Sequence, residues 1–198
     1  MKKTGFFGGT FDPIHFGHIN LAIQLAEIHA LDEVLFCPAG RSPFKASRPP
    51  LAFAEDRIMM VKLAIQEIDA FRVSSIEIQR KGLSYTIDTL RALKESYKPQ
   101  TQWYILLSED SLSCFHLWKE PEEIIRMAWP LIGSRSSVRP EIPPSPVREA
   151  LLEGLTETKQ YEISSTDIRD RLKKGLYCGH LVPSKVLEYI AQRRLYCE

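Results

Sequence analysis

Hydrophobic positions along this 198-residue chain switch repeatedly between two spacings. Short unbroken apolar runs are typical of buried strands, and apolar residues three or four positions apart are typical of amphipathic helices. The runs predict strands over residues 3–7, 34–37, 71–73, 103–107, 129–133 and 161–163, with Ile76 and Ile78 extending the third one. The helical spacing predicts helices over residues 18–30, 58–68, 84–97, 110–118, 147–153, 165–174 and 184–194.

Strands that alternate with helices predict βαβ units and a mostly parallel sheet. The expected fold class is therefore α/β, a doubly wound sheet with a small helical part near the C-terminus. We expect one domain over residues 1–198, because domains cluster at about 100–200 residues. Parallel sheets bind ligands at the carboxyl ends of their strands. The glycine-rich turn over residues 8–18 follows the first strand, so it is expected at such an end.

The charge balance excludes one class of partner. Twenty-six Lys and Arg against 25 Asp and Glu give a net charge of +1. Bulk binding of DNA or RNA requires a strongly basic surface, so we expect no nucleic-acid partner. A small anionic ligand is compatible with this balance, since it needs only a few local cations.

Cysteine spacing and hydropathy bear on where the protein works. The cysteines form no C-x-x-C pair, which argues against a zinc site or a secreted disulfide framework. No apolar run approaches the roughly 18 residues of a membrane span. Glycines and Asp12 follow the N-terminal lysines too closely for a signal-peptide core. We therefore expect a cytoplasmic protein with no membrane partner. The four cysteines are Cys37, Cys114, Cys178 and Cys197.

Small residues in the turn over residues 8–18 suit the binding of phosphate. Gly8 and Gly9 would let the backbone approach a phosphate, because a Cβ would stand in the way. Thr10 adds a hydroxyl donor. Gly17, just before the predicted helix, would leave open its first N–H groups, and helix N-termini attract anions.

His15 and His18 lie three positions apart, so they share one face if their segment is helical. Two imidazoles beside a helix N-terminus can stabilise negative charge that develops on a phosphoryl group. The same spacing also fits simple packing, and it fits zinc, although no third ligand is evident. The pattern is neither G-x-x-x-x-G-K-[ST] nor G-x-G-x-x-G, which excludes the P-loop and dinucleotide-binding interpretations.

A second polar segment, Ile-Ser-Ser-Thr-Asp-Ile-Arg, covers residues 163–169. Hydroxyls and an Asp before an apolar-periodic stretch mark a helix N-cap, and Ser164 with Asp167 resembles a capping box. A helix N-terminus together with Arg169 suits a triphosphate tail. Taken alone, the segment fits a well-capped helix equally well.

Together the two segments carry a family resemblance. G-G-T-F-D-P-I-H-x-G-H after a first strand resembles the H-x-G-H nucleotidyltransferase superfamily, and I-S-S-T-x-I-R resembles its distal phosphate loop. The resemblance implies a Rossmann-like fold and the transfer of a nucleotidyl group to a phosphate. It also implies that I-G-S-R, over residues 132–135, lies near the nucleotide. The implied ATP-binding residues are Gly8, Gly9, Thr10, Phe11, His15, His18, Arg135, Ser164, Ser165, Thr166 and Arg169.

Further segments resemble the nicotinate mononucleotide adenylyltransferase branch. S-Y-T-x-D-T-L, over residues 84–90, implies a receptor for the pyridine carboxylate at a helix N-terminus. The segment at 107–112, with Ser108 in place of the usual Gly, implies acceptor contacts that include a stacking Trp118. The loop ending at Lys45, with Phe44 in place of the usual His, implies a phosphate contact. The implied acceptor-binding residues are Thr10, Lys45, Tyr85, Thr86, Asp110 and Trp118.

The implied reaction joins ATP and nicotinate mononucleotide to give nicotinate adenine dinucleotide and pyrophosphate, a step of NAD biosynthesis. The resemblance gives catalytic roles to His18, His15, Lys45 and Arg169. It implies Mg²⁺ that arrives with ATP and keeps several waters, with no metal cage in the protein. Three alternatives stay open: preference for nicotinamide mononucleotide, another H-x-G-H transferase acting on phosphopantetheine or glycerol phosphate, and a nucleotide-binding sensor without turnover. A homo-oligomer, with residues 136–160 at its interface, also stays open.

Overall fold

The structure is a computed structural model, and it describes residues 1–41, 43, 49–80, 82–134, 140–159 and 161–197. The described strands are β1 (Lys3–Gly9), β2 (Glu33–Pro38), β3 (Phe71–Val73), β4 (Gln102–Ser108), β5 (Trp129–Ser134) and β6 (Leu155–Glu157). The described helices are α1 (Phe16–Ile28), α2 (Ala54–Ile65), α3 (Ile76–Gln79), α4 (Thr86–Ser96), α5 (Pro121–Met127), α6 (Arg148–Glu153), α7 (Ser165–Lys173) and α8 (Ser184–Gln192).

The described strands form one parallel sheet in the order β3-β2-β1-β4-β5-β6. This is the order of a doubly wound α/β fold, so the expected fold class is confirmed. The order reverses between β1 and β4. The carboxyl ends of these two neighbours therefore form a crevice of the kind in which such sheets bind ligands.

The core lies on both faces of the sheet, because successive side chains along a strand point to opposite faces. Phe7 of β1 belongs to the layer that contains α1, α2 and α8. Its neighbour Phe6 belongs to the opposite layer, with α4, α5 and α6. Both faces of β1 are thus buried. None of the described helices combines the length and the apolar character needed to cross a bilayer.

Two predicted strands are wrong. Ile76 and Ile78 do not continue β3; they lie in the short helix α3 that follows Ser75. Residues 161–163 are irregular, and the last strand is instead β6, which pairs with β5. In both places two apolar residues two positions apart suggested a strand. The side chain of Ile163 packs against the core although its backbone is irregular and pairs with none of the described strands.

Some predicted boundaries and one helix also differ. The predicted helix over 110–118 is a pair of single 3₁₀ turns, Glu109–Ser111 and Phe115–Leu117. Helix α5 was not predicted; it begins at Pro121, and proline is favoured at a first helical position. The strand β1 continues through Gly9, and α1 begins at Phe16, two residues before the predicted start.

Candidate active site

The turn that joins β1 to α1 lies at the carboxyl edge of the sheet, beside β2. Gly8 and Gly9 are the last residues of β1 rather than part of a free turn, opposite Cys37 and Pro38 of β2. A Cβ at Gly9 would lie 2.8 Å from the ring of Phe11. Phe11, with a left-handed φ of 49°, folds its ring back over the strand end. The ring of Phe11 thus explains why residue 9 is a glycine. Gly8 is exposed, so its backbone is open to solvent.

The two predicted histidines meet at the start of α1. His15 is the N-cap, and the two residues form a reciprocal capping box in which imidazoles do the work of the usual hydroxyl and carboxylate. The N–H of His18 donates to Nδ1 of His15 at 3.4 Å, and the N–H of His15 donates to Nδ1 of His18 at 3.3 Å. The rings stack with centroids 3.6 Å apart. With each Nδ1 accepting, a neutral ring carries its proton on Nε2.

Burial sets the charge of one imidazole. His15 is 6% exposed, and burial lowers its pKa from 6.5 to about 4. The ring is therefore neutral near pH 7, and it can act as an Nε2 donor rather than as a cation. His18 is half-buried and lies edge-on to Phe11, with ring centroids 5.1 Å apart.

Gly17 has a different role from the predicted one. It lies inside the first turn of α1, and a Cβ there would be 3.0 Å from Nδ1 of His15 and 3.3 Å from the carbonyl oxygen of Tyr161. The glycine therefore makes room for the imidazole of His15. The N–H of Phe16, in the same turn, donates to the carbonyl of Leu181 at 2.9 Å, so this amide is already used within the fold.

The second predicted segment is bound directly to the first. Helix α7 begins at Ser165, and the hydroxyl of its N-cap, Ser164, accepts from the N–H of Thr166 at 3.1 Å. The hydroxyl of Ser165 donates to the carbonyl of Pro13 at 2.9 Å. The two segments thus form one surface although they are about 150 residues apart in sequence.

Arg169 makes the second link between the segments. One terminal nitrogen donates to the carbonyl of Asp12 at 2.6 Å, and the other donates to the hydroxyl of Thr166 at 3.1 Å. A guanidinium has five N–H groups in a planar fork. This cation therefore lies beside the turn that carries His15 and His18, here called the histidine turn. Two oxygen atoms fix its orientation.

Two buried residues behind the turn were missed in the sequence. Asp12 accepts from the N–H groups of Leu51 and Ala52 at 2.9 and 3.1 Å, and from the hydroxyl of Tyr196 at 2.7 Å. Arg57 donates to the carbonyl of Thr10 at 2.8 Å, and burial lowers its pKa. No local pattern reveals these partners, since they lie 39 to 184 residues away.

Beside the end of β1, the loop after β2 is bound to the segment that enters α4. The hydroxyl of Ser84 accepts from the N–H groups of Gly40 and Arg41 at 3.0 and 3.3 Å. A Cβ at Gly40 would be 2.5 Å from the carbonyl oxygen of Glu77, so only glycine allows this approach. Tyr85 is the N-cap of α4 and Thr86 is its first residue.

A buried polar network supports the start of α4. The hydroxyl of Thr89 donates to Glu77 at 2.9 Å, and Arg80 donates to Thr89 at 2.8 Å. Burial raises the pKa of Glu77, while hydrogen bonds from Thr89 and Ser84 act in the opposite sense. Above the network, the ammonium of Lys119 lies 4.9 Å from the ring centroid of Tyr85.

The remaining predicted acceptor residues follow β4. Asp110 is exposed in the 3₁₀ turn just beyond the strand. Trp118 is half-buried and stacks on Phe115, with ring centroids 4.8 Å apart. Because β4 pairs with β1, Asp110 shares the carboxyl edge of the sheet with the histidine turn.

Two of the predicted site residues are not described by the structure. Lys45 and Arg135 lie outside the described residues, so their roles stay predictions. Phe44 lies outside them too. Within the described ranges, no group of three His, Cys, Asp or Glu side chains could hold a metal ion.

The sequence and the fold both resemble those of known proteins. Residues 6–171 match the family model described as cytidylyltransferase-like. That span covers most of the chain, which belongs to this family, a class of nucleotidyltransferases. Among its curated relatives is the "Probable nicotinate-nucleotide adenylyltransferase" of Dehalococcoides mccartyi, strain CBDB1, which is 41% identical over 204 residues, 98% of this chain and 97% of the relative. The protein of the same name from Herpetosiphon aurantiacus is 35% identical over 205 residues, 99% of both chains.

A solved structure shows the same fold. Nicotinic acid mononucleotide adenylyltransferase of Plasmodium falciparum, complexed with NaAD, has a TM-score of 0.79 and 20% identity, covering 99% of this chain and 98% of that one. Together with the curated relatives, this confirms the resemblance that the sequence motifs carry. The protein is a nucleotidyltransferase, and its full-length relatives carry the name nicotinate-nucleotide adenylyltransferase.

Proposed function

We propose that the protein transfers the adenylyl group of ATP to nicotinate mononucleotide and releases pyrophosphate. The observation that carries this proposal is the direct bonding of Ser165 and Arg169 to Pro13 and Asp12. It joins a helix N-terminus and a cation to the histidine turn in a single surface. The names of the full-length relatives give the chemistry, and one structural neighbour is a complex with NaAD.

The chemistry requires positioning more than proton transfer. The phosphate of a mononucleotide is already anionic near pH 7, so no general base is needed. Catalysis then consists of alignment and stabilisation of charge at the α-phosphate. His18 is proposed to donate from Nε2 to the α-phosphate as charge builds. His15, neutral because burial lowers its pKa, is proposed to donate from Nε2 to the α-phosphate or to the acceptor phosphate.

The triphosphate tail is proposed to lie on the start of α7. Ser165, Thr166 and Arg169 gather there, and a helix N-terminus with an arginine suits the β- and γ-phosphates. Ser164 contributes by capping the helix, since its hydroxyl is used on Thr166. The other proposed contacts to ATP are the backbone and side chains of Gly8, Gly9, Thr10, Phe11 and Arg135.

The acceptor is proposed to lie between the start of α4 and the end of β4. Tyr85 and Thr86 present the N-terminus of an 11-residue helix, which favours the pyridine carboxylate. Trp118 is proposed to stack on the pyridine ring, and Asp110 to accept from ribose hydroxyls. Thr10 and Lys45 are proposed to hold the acceptor phosphate.

Mg²⁺ is proposed to enter with ATP. The described residues offer no three-ligand group for a metal, and Mg²⁺ usually keeps several waters and binds through substrate phosphates. When bound, it would offset charge on the phosphates. The side chains of the protein are proposed to orient the phosphates around it.

Release of pyrophosphate with each acceptor in turn tests the function. We expect the highest kcat/KM with ATP and nicotinate mononucleotide, and a lower kcat/KM when nicotinamide mononucleotide is the acceptor. No pyrophosphate should be released with phosphopantetheine, or with glycerol phosphate and CTP. Faster release with one of those acceptors would reassign the substrate. ATP binding without release from any acceptor would favour a sensor and contradict the proposal.

The setting of the enzyme is also a proposal. Residues 1–198 are proposed to act as one domain in the cytoplasm, on ATP and nicotinate mononucleotide, with residues 136–160 open to self-association. Cell fractionation and light scattering of the purified protein check location and oligomeric state.

A further inference from the structure

Two tyrosine–aspartate hydrogen bonds hold the C-terminal part of the chain, and they end at different places. Tyr189 of α8 donates to Asp56 of α2 at 2.7 Å. Tyr196 donates to Asp12 at 2.7 Å. The first bond joins two helices, α8 and α2. The second ends on the turn that carries His15, at a residue directly bonded to Arg169.

The carboxylate of Asp12 is 5% exposed and has its hydrogen-bonding needs met by neutral donors. Oδ2 accepts from the N–H of Leu51, and Oδ1 accepts from the N–H of Ala52 and from the hydroxyl of Tyr196. The buried guanidinium of Arg57 interacts electrostatically with this carboxylate, while its two terminal nitrogens donate to the carbonyl oxygens of Thr10 and Gly40. The negative charge of Asp12 is therefore compensated without an ion pair to Arg169.

Arg169 accordingly stays outside a close ion pair. Its nearest terminal nitrogen is 3.9 Å from Oδ2 of Asp12 and donates instead to the main-chain carbonyl of Asp12. An arginine locked in a bidentate pair with a carboxylate would have its fork occupied. Here the fork is oriented by a carbonyl and a hydroxyl, which leaves further N–H groups for an anion.

Tyr196 is suited to keep this arrangement. Its side chain is 7% exposed, and burial together with the charge of Asp12 raises the pKa of its hydroxyl. It therefore remains a donor across the physiological range. Without that hydroxyl, Oδ1 of Asp12 would lose a donor in a buried place. Among the described ion pairs, the cation that could then close on this carboxylate is Arg169, whose terminal nitrogen is 3.9 Å from Oδ2.

We propose that Tyr196 is a positioning residue for ATP: its hydroxyl satisfies Asp12, so that Arg169 remains available to the triphosphate instead of closing on the carboxylate. The inference rests on the adenylyl transfer proposed above. Tyr196 touches neither reacting atoms nor, in this role, ATP itself; it acts through Asp12 and Arg169.

Tyr196→Phe is the test, and Tyr189→Phe is its matched control, since both remove a hydroxyl that donates to an aspartate at 2.7 Å. We expect Tyr196→Phe to raise KM for ATP about 5- to 20-fold, part of what a hydrogen bond to a charged group is worth. KM for nicotinate mononucleotide and kcat should change less than twofold or so. Tyr189→Phe should leave all three constants near wild type.

A double-variant cycle supplies a second measurement. If Tyr196 acts through Arg169, then Tyr196→Phe should raise KM for ATP much less in an Arg169→Lys background than in wild type. Equal KM values for ATP in both tyrosine variants, additive effects in the cycle, or a Tyr196→Phe protein without a cooperative thermal transition would each overturn the inference. Failure of the proposed function looks different, because then the wild-type protein itself releases no pyrophosphate.

Discussion

Two parts of the candidate site are held together in different ways. The proposed nucleotide half consists of the turn over residues 10–18, helix α7 and Tyr196. It is joined by bonds between residues far apart in sequence: 152 positions for Ser165 to Pro13 and 184 for Tyr196 to Asp12. The proposed acceptor half, consisting of Gly40, Arg41 and residues 77–80 and 82–89, is joined by bonds that span 4 to 44 residues.

The two halves therefore depend on different kinds of contact for their rigidity. The nucleotide half takes shape only when the turn over residues 10–18 meets α7 and Tyr196. The acceptor half rests on a compact network of Glu77, Thr89, Arg80 and Ser84, whose members strengthen one another in a low-dielectric interior. Damage to one half should therefore change the kinetics of its own substrate and leave those of the other substrate largely intact.

The largest expected effect belongs to the nucleotide half. His18→Ala should lower kcat by roughly 10²–10³-fold, the usual loss when a donor to developing charge is removed. Both KM values should change little, and the fold should persist. Steady-state kinetics with circular dichroism measure this. His29→Ala, at the other end of α1 and bonded to Thr156, is the control and should keep wild-type kcat. Near-native turnover by His18→Ala would remove this assignment.

Acid should affect the two halves in opposite directions. The pKa of His15 falls from 6.5 to about 4 on folding, so the unfolded chain binds the extra proton first. Stability from this group is complete above pH 6.5 and is lost as the pH falls towards 4, by about 2–3 kcal/mol between pH 7 and about 4.5. Burial raises the pKa of Glu77 in the acceptor half, so its protonation favours the folded state.

Urea unfolding of wild type and His15→Gln at both pH values isolates the histidine. The contribution of Glu77 is common to the two proteins and cancels in the difference. We expect the variant to lose about 2–3 kcal/mol less than wild type on acidification. Equal losses would mean that His15 takes up its proton equally in the folded and unfolded states.

Ser84→Ala probes the acceptor half. It leaves the N–H groups of Gly40 and Arg41 without their acceptor, and should cost about 1–3 kcal/mol of stability. KM for nicotinate mononucleotide should rise while KM for ATP stays near wild type. Ser96→Ala is the matched control, because Ser96 is the last residue of α4 and its hydroxyl bonds only helix carbonyls. A rise in KM for ATP as large as that for the acceptor would break the division into halves.

The smallest expected change is at Trp118. Loss of one stacking face should raise KM for the acceptor about 5- to 10-fold with little change in kcat. Trp118→Ala also removes the contact with Phe115, so Trp118→Phe is needed beside it. The phenylalanine variant should lie between wild type and alanine. An unchanged acceptor KM in both variants would remove the stacking role.

Much of the fold could be predicted because its signals are local. The runs that form β1, β2, β4 and β5 are apolar on both faces, as expected of buried parallel strands. The edge strand β6, Leu-Thr-Glu, has only one apolar residue and gives no such run. The short helix α3 repeats isoleucine at a two-residue spacing, which favours a strand until its hydrogen bonds are seen.

The site divides along similar lines. The shared location of the two imidazoles, the N-cap Ser164 and the start of α4 could be predicted from spacing and capping rules. The role of His15 as the N-cap of α1 could not, because the helix was expected to begin at His18. The roles of Asp12 and Arg57 could not, because each depends on partners that only the tertiary fold supplies. Gly17 illustrates the middle case. The sequence identifies the position, but the reason for a glycine, the ring of His15, appears only in three dimensions.

The bond between Tyr196 and Asp12 also sets an order in time. A ribosome adds about 5–20 residues per second. The tyrosine follows the aspartate by 184 residues, so roughly 10–40 seconds of synthesis separate them. During that interval the growing chain carries the histidine turn without the group that completes its support. An unfinished chain therefore lacks the hydroxyl that completes the hydrogen bonds of Asp12.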